Sequence, residues 1–274
     1  MARGVPNTWT RPTMITGLVV VGIWVLVVVT VPWWAPYDPL DAVGERLQSP
    51  SWKHPAGTDA LSRDVFTRVL YGARQTIPIS LIVIVSAVLI GSTLGAIAGF
   101  LGGWVDQVVM RTVDITLAFP PIFLAMAVNA AFGKGLKNAC IAMIIVWWPI
   151  YARLMRGQVI SIRHREHVAA AISIGATRTR TLRKHVVPLS FTPALINATL
   201  DLGQVVILTA TLSFIGLGAK PPSPEWGALI NDGAQYFYQW WIGVAPGIAI
   251  LTLGMAFNFI GDGLRDHFDV RAHR

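Results

Sequence analysis

The sequence predicts an all-α, polytopic membrane protein with about six transmembrane helices. Three observations carry this. Of the 274 residues, 54% are hydrophobic and only 13% charged, where soluble domains carry about 25% charged residues; mean hydropathy is +0.56. Several uncharged apolar runs approach the roughly 20 residues a helix needs to cross a bilayer core. The basic residues lie in the gaps between those runs, so the net charge of +8 reads as the flanks of spans rather than as a nucleic-acid footprint.

The first run, 14–34, follows Arg3 and Arg11 and is longer than the about 7–15 residues of a cleaved signal core. It ends in "VPWWAPYDP", without a small-x-small site, which predicts an uncleaved span with Trp33 and Trp34 at the interface. The second span, 77–100, lies in a charge-free stretch. In it Ala87, Gly91, Gly95 and Gly99 recur every fourth residue, a smooth face on which another helix packs closely, as a fixed seam or a sliding surface. The third, 115–132, contains Pro120 and Pro121. The fourth, 139–152, is short, with Arg153 and Arg156 snorkelling at its end. It holds Cys140, the one cysteine, which allows no intrachain disulfide. The fifth is 189–216 and the sixth 240–260.

Direction follows from Lys and Arg. With the N-terminus inside, the inner segments hold Arg3, Arg11, Arg111, every basic residue from Arg153 to Lys184, and Arg265, Arg271 and Arg274. The short outer loops hold only Lys134, Lys137 and Lys220. The long first outer segment carries Arg46, Lys53, Arg63, Arg68 and Arg74, offset by Asp38, Asp41, Glu45, Asp59 and Asp64. Both termini, and the segment between spans four and five, are therefore expected in the cytoplasm.

That segment is too charged to span and reads as two short helices. On the first, Glu166, Ala170 and Ala171 share a face, where small side chains let another surface approach. Gly175 suits a left-handed helix stop. The second, 177–187, carries Arg178, Arg180, Arg183 and Lys184. Such a basic segment either lies on anionic lipid or docks a soluble partner. The ordered spacing Glu-x3-Ala-Ala-x3-Gly-x12-Pro, running from Glu166 through Ala170, Ala171 and Gly175 to Pro188, resembles the EAA motif of ABC-importer permeases. "HPAGTDALSRDVFTRVLYGAR" (54–74), "LSFIGLGAKPPSPEWGALINDG" (212–233) and "PGIAILTLGMAFNFIGDGLRDHFDVR" (246–271) are similar to segments of the dipeptide, oligopeptide and nickel permease C subunits. The likeness covers nearly all of the chain beyond the first dozen residues. Two positions depart from it: Ser62 stands where the family usually has glycine, and His167 where it usually has tyrosine.

The resemblance implies a type I ABC-importer permease fold, with 1–13 a cytoplasmic N-terminus, 14–34 the first span, 35–76 an extracytoplasmic segment, 77–262 a five-helix core and 263–274 a cytoplasmic tail. Residues 157–188 would form a coupling loop seated in a cleft of a cytoplasmic ATP-binding subunit. There Glu166 would meet a basic group, Ala170 and Ala171 would allow close approach, and Gly175 would set the turn, with Arg178 and Pro188 in the same element. The implied partners are a homologous second permease, two ATP-binding subunits and an extracytoplasmic substrate-binding protein, in a prokaryotic inner membrane. ATP and Mg would sit on the ATP-binding subunits, with no cofactor on this chain and no catalysis by it. The implied cargo is a di- or oligopeptide, with a nickel chelate or another small solute as the alternative.

The residues independently support that division of labour. No Gly-x4-Gly-Lys-Ser/Thr occurs, so the chain carries no phosphate-cradling loop of that kind, and energy comes from another chain or an ion gradient. No HExxH occurs either, and no bound metal is expected. Asp201 is the only charge between Lys184 and Lys220. Asn197 and Gln204 fall on its helical face, and a mid-membrane charge is costly enough to demand protein or a wet pathway beside it. The stripe Asn197, Asp201 and Gln204 either lines a pathway or bonds between helices; for Asn129 and Asn258 the interhelical bond is the better reading. A proton-coupled secondary transporter relaying through Asp201 is the rival from another class. In the outer loop, Ser223 is expected to cap a short helix begun by Pro224, and the aromatic residues from Trp226 to Trp241 suit an interface.

Overall fold

A computed structural model describes residues 12–268. The terminal residues behind the expected direction, Arg3, Arg11, Arg271 and Arg274, fall outside the described residues. In a bilayer a backbone must satisfy its own polar groups, which an isolated segment does only as a helix, and every regular element among the described residues is a helix, while residues 35–64 run as turns and coil with one isolated bridge between Thr58 and Asp64. In order they are α1 (Pro12–Trp34), α2 (Val65–Leu101), α3 (Gly103–Leu117), α4 (Pro121–Phe132), α5 (Leu136–Arg163), α6 (Glu166–Ser173), α7 (Arg178–Thr181), a π-helical turn (Leu182–Val186), α8 (Val187–Ser190), α9 (Thr192–Phe214), α10 (Trp226–Ala234) and α11 (Trp241–Phe268).

Five of these, α1, α2, α5, α9 and α11, are long and apolar enough to cross a membrane. The expected third span, 115–132, is not one helix. Helix α3 ends at Leu117, and the chain turns through 96° into α4. The cause is local: Pro120 at φ −57°, ψ 134° precedes Pro121, a residue before proline is held off the helical region, and Pro121 has no N–H for an i−4 bond. Hydropathy does not register that change of direction. Helix α3 itself is half polar, and α5 grips it by two ion pairs. Arg156 donates to both oxygens of Asp106 at 2.5 and 2.6 Å, and Arg153 reaches Asp114 at 2.5 Å.

Helix α2 begins a full three turns before the expected span. Asp64 caps it, accepting from the Thr67 N–H at 2.7 Å, and Arg68 lies within it, buried. Its 37 residues make a rod about 55 Å long. Along α2 the small residues meet α5. A Cβ on Gly91 would strike the Trp148 carbonyl, one on Gly95 the Ala152 carbonyl, and one on Gly99 the Arg156 carbonyl at 2.8 Å. The glycines therefore let two backbones touch. Around this seam packs the central core, with Val83, Ile84, Ala87, Met143, Val146 and Tyr151 buried. A second core joins the start of α2 to α10 and α11 through Val65, Val69, Trp226, Ile242 and Leu253. Helix α1 leans on α11 and α2 and leaves Ile23, Leu26 and Val29 exposed, an apolar face suited to lipid.

The outer loop differs from expectation at its helix start. Ser223 does not cap; its hydroxyl donates to Gln75 Oε1. The cap of α10 is Glu225, whose carboxylate accepts from the Ala228 N–H at 3.1 Å. Glu225 is wholly buried, and a buried carboxylate takes the donors a helix N-terminus offers.

Candidate functional site

Helix α6 is short and hangs at the end of α5, joined to it through His164 and Arg165. Its amphipathicity decides what it shows. Val168 and Ala171 turn inward, and Val168 joins a small core with Met155 and Val159 of α5 and Val186 of the π-helical turn. Glu166, His167 and Ala170 are exposed. The face expected to hold Glu166, Ala170 and Ala171 together is thus divided: Ala171 is 6% exposed and belongs to the inner side, while Ala170, with Ala169 beside it, stays on the free surface. Glu166 stands in the first turn, where its charge complements the helix N-terminus.

The end of α6 is closed by Gly175. It takes φ 87°, its N–H bonds the Ile172 carbonyl at 2.9 Å, and the Ala176 N–H bonds the Ala171 carbonyl at 3.1 Å. These are the two bonds of a Schellman stop. A Cβ there would meet nothing within 4 Å, so glycine is required by backbone angle alone. Thr177 then caps α7, accepting from the Arg180 N–H at 3.4 Å, and Arg178 lies exposed. Proline at 188 cannot donate to Lys184. The preceding turn widens, and the Val187 N–H reaches Leu182, five residues back. Pro188 is exposed in the first turn of α8. Glu166, Ala170, Gly175, Arg178 and Pro188 therefore all lie on the outside of one compact segment packed on the end of α5.

The polar stripe on α9 is less uniform. Asp201 is half-buried and its Oδ2 accepts from the Tyr151 hydroxyl at 2.7 Å. Tyr151 is fully buried on α5. Asn197 is half-buried and Gln204 exposed, and neither joins the Asp201 bond. Asn129 is buried and donates to the Leu217 carbonyl at 2.9 Å, which ties α4 to the residues after α9.

One cluster escaped sequence reasoning. Asp59 accepts from the Arg63 Nε at 2.7 Å and from Arg68 at 2.6 Å. Arg68 also lies 3.4 Å from Asp232 of α10. Beside them His54 Nδ1 and Asp64 Oδ1 are 2.9 Å apart. His54, Asp59, Arg63, Asp64 and Arg68 are all buried, so each charge depends on the others. The one available signal was the balance of acids and bases in that segment. Glu225 belongs with this outer region: burial pushes its carboxyl above the usual range, opposed by hydrogen bonds from the Gly227 and Ala228 amides and the Ser213 and Thr76 hydroxyls.

Residues 91–274 match the family described as the binding-protein-dependent transport system inner membrane component. The chain is 43% identical to a probable D,D-dipeptide transport system permease protein of Escherichia coli K12, over 95% of this chain and 88% of that one. It is 41% identical to a dipeptide transport system permease protein of Alkalihalophilus pseudofirmus, over 93% and 84% of the two chains, and 38% identical to a nickel transport system permease protein of E. coli K12, over 92% of each. Among solved structures, a chain of the inward-facing MetNI methionine ABC transporter superposes with a TM-score of 0.58, covering 73% of this chain and 95% of that one at 22% identity. That likeness speaks to the fold alone.

Proposed function

The chain belongs to the family of binding-protein-dependent transport system inner membrane components, and on that footing we propose that it is one permease subunit of an ATP-driven importer of di- or oligopeptides. It works beside a homologous second permease, two cytoplasmic ATP-binding subunits that carry ATP and Mg, and an extracytoplasmic substrate-binding protein. Relatives named for dipeptides at 43% and 41% identity support peptide cargo. The relative named for nickel is also close, at 38%, so nickel-chelate uptake is the reading a cargo assay must separate.

The observation that carries the proposal is the exposed face of α6 at the end of α5. The ATP-binding subunit receives Glu166 and Ala170 in a cleft, Gly175 holds the turn behind them, and Arg178 and Pro188 border the contact. Helix α5 is one helix of 28 residues with Pro149 inside it, about 42 Å long, and touches α2 backbone to backbone. A displacement of α6 by closing ATP-binding subunits therefore moves α5 and α2 together. The basic residues from Arg153 to Lys184 support a cytoplasmic position for this side and for both termini. Asn197, Asp201 and Gln204 are candidate pathway residues, with the Tyr151 bond linking Asp201 to the driven helix rather than to a proton relay.

The test is dipeptide uptake in cells carrying the whole transporter. Glu166→Lys and Gly175→Asp are expected to reduce uptake to background while membrane insertion and assembly persist, and excess nickel chelate leaves wild-type uptake unchanged. Full uptake in both variants overturns docking through α6.

A further inference from the structure

Beside the α6 segment, a groove of about 470 Å³ opens between α2, α5, the α7 and π-helical turn, and the approach to α9. Leu89, Ile97, Met155, Leu182, Val187 and Phe191 make its wall apolar. Two features do not suit an empty apolar cleft. Ser92 lines it, is only 6% exposed, and its hydroxyl has no hydrogen-bond partner. A buried hydroxyl is costly to leave unpaired. Arg183 stands at the mouth, exposed, and makes no ion pair among the described residues. No Asp or Glu occurs between Glu166 and Asp201, while Arg178, Arg180, Arg183 and Lys184 do. The mouth is cationic with no counter-charge of its own.

We propose that this groove binds an anionic glycerophospholipid. The acyl chain runs along α2 from Ser92 toward Leu89, an ester carbonyl accepts from the Ser92 hydroxyl, and the headgroup phosphate rests on Arg183 at the mouth. An amphiphile with an acceptor oxygen between its apolar and charged parts fits the order of groups along the groove. A transmembrane helix from another subunit fits less well, because its carbonyls are already bonded within it and it brings no charge for Arg183. The assignment of the lipid to the inner leaflet rests on the orientation proposed above. The site itself depends neither on that orientation nor on docking through α6.

The assembled transporter is placed in phosphatidylcholine nanodiscs containing either phosphatidylglycerol or phosphatidylcholine with a photoreactive acyl chain, irradiated, and mapped by peptide mass spectrometry. The expected result is labelling of the Leu89–Ser92 stretch and the π-helical turn, about five-fold stronger for phosphatidylglycerol, since a basic residue near an anionic surface contributes that order of preference. Arg183→Ala brings phosphatidylglycerol labelling down to the phosphatidylcholine level. Thr93→Trp, at an exposed lining position, removes labelling by both. Competition by unlabelled phosphatidylglycerol on the wild-type protein gives the same answer without a variant. Equal labelling by the two lipids, labelling insensitive to competition, or a Thr93→Cys cross-link to a partner subunit in place of lipid overturns the proposal.

Discussion

Gly175 at φ 87° and Ser62 at φ 63° sit in the same left-handed region, and only one of them is a glycine. The backbone at Ser62 is fixed from both sides. Its N–H bonds the Asp59 carbonyl at 3.1 Å, and its carbonyl accepts from Val43 at 2.9 Å, so it cannot relax out of the strained angle. An L-residue there costs about 1–2 kcal/mol, partly offset because glycine would add entropy to the unfolded chain. Ser62→Gly should therefore stabilise the protein by about 0.5–1 kcal/mol, read as a higher thermal midpoint in detergent. A lower midpoint would mean that the serine hydroxyl contributes more than the angle costs. The same reasoning made the Gly175 stop legible from sequence, since a Schellman turn is built from neighbours in the chain. The bond between Tyr151 and Asp201 was not legible in that way: fifty residues separate its ends, and the spacing of polar residues on α9 says nothing about what α5 presents.

At the scale of elements, the contact between α2 and α5 is the joint on which the proposed motion depends, and the glycine face of α2 sets its closeness. A leucine at 95 would drive into the Ala152 backbone, which cannot move aside as a side chain can. Gly95→Leu should cost more than about 3 kcal/mol and lower the yield of folded protein. Gly22→Leu on α1, where a Cβ meets nothing within 4 Å, is the matched control and should be neutral by fluorescence-detected size-exclusion. Similar losses in both would mean that added bulk in any span, rather than the α2–α5 seam, is what the fold rejects. The four-residue glycine repeat announced this seam but not its partner. The span positions came through in the same partial way. Five are continuous helices because apolar length is a local property; the bend at Pro120 is local too but does not register in hydropathy, and the early start of α2 at Val65 depends on buried ion pairing. The charge-free stretch sets the expected start at 77, whereas Arg68 sits inside α2, its charge paired with Asp59 nine residues earlier.

Taken as a whole, the molecule has the exposed α6 segment at one end of α5 and a braced cluster around the start of α2 and α10. The brace is polar. The segment before α2, the first turns of α2, and α10 are joined through Asp59, Arg63, Arg68 and Asp232, and Glu225 sits where α2, α9 and α10 meet. Burial raises the Glu225 carboxyl above its unfolded value, so the folded state holds a proton there more tightly than the unfolded chain. Its contribution to stability is then fully present below the ordinary carboxylate range and is lost as pH rises through the raised folded value. A single such group changes stability by at most about 1.4 kcal/mol per pH unit. Glu225→Gln keeps an amide oxygen to cap α10 and accept from Thr76, and removes the titration. The difference in thermal midpoint between wild type and variant, measured from mildly acidic to mildly alkaline buffer, should therefore grow in the variant's favour as pH rises. The subtraction cancels whatever the two proteins share. If instead the wild type gains on the variant with rising pH, the Glu225 carboxylate is held by its donors more strongly than burial opposes it, and the brace is an anion site rather than a proton-holding one.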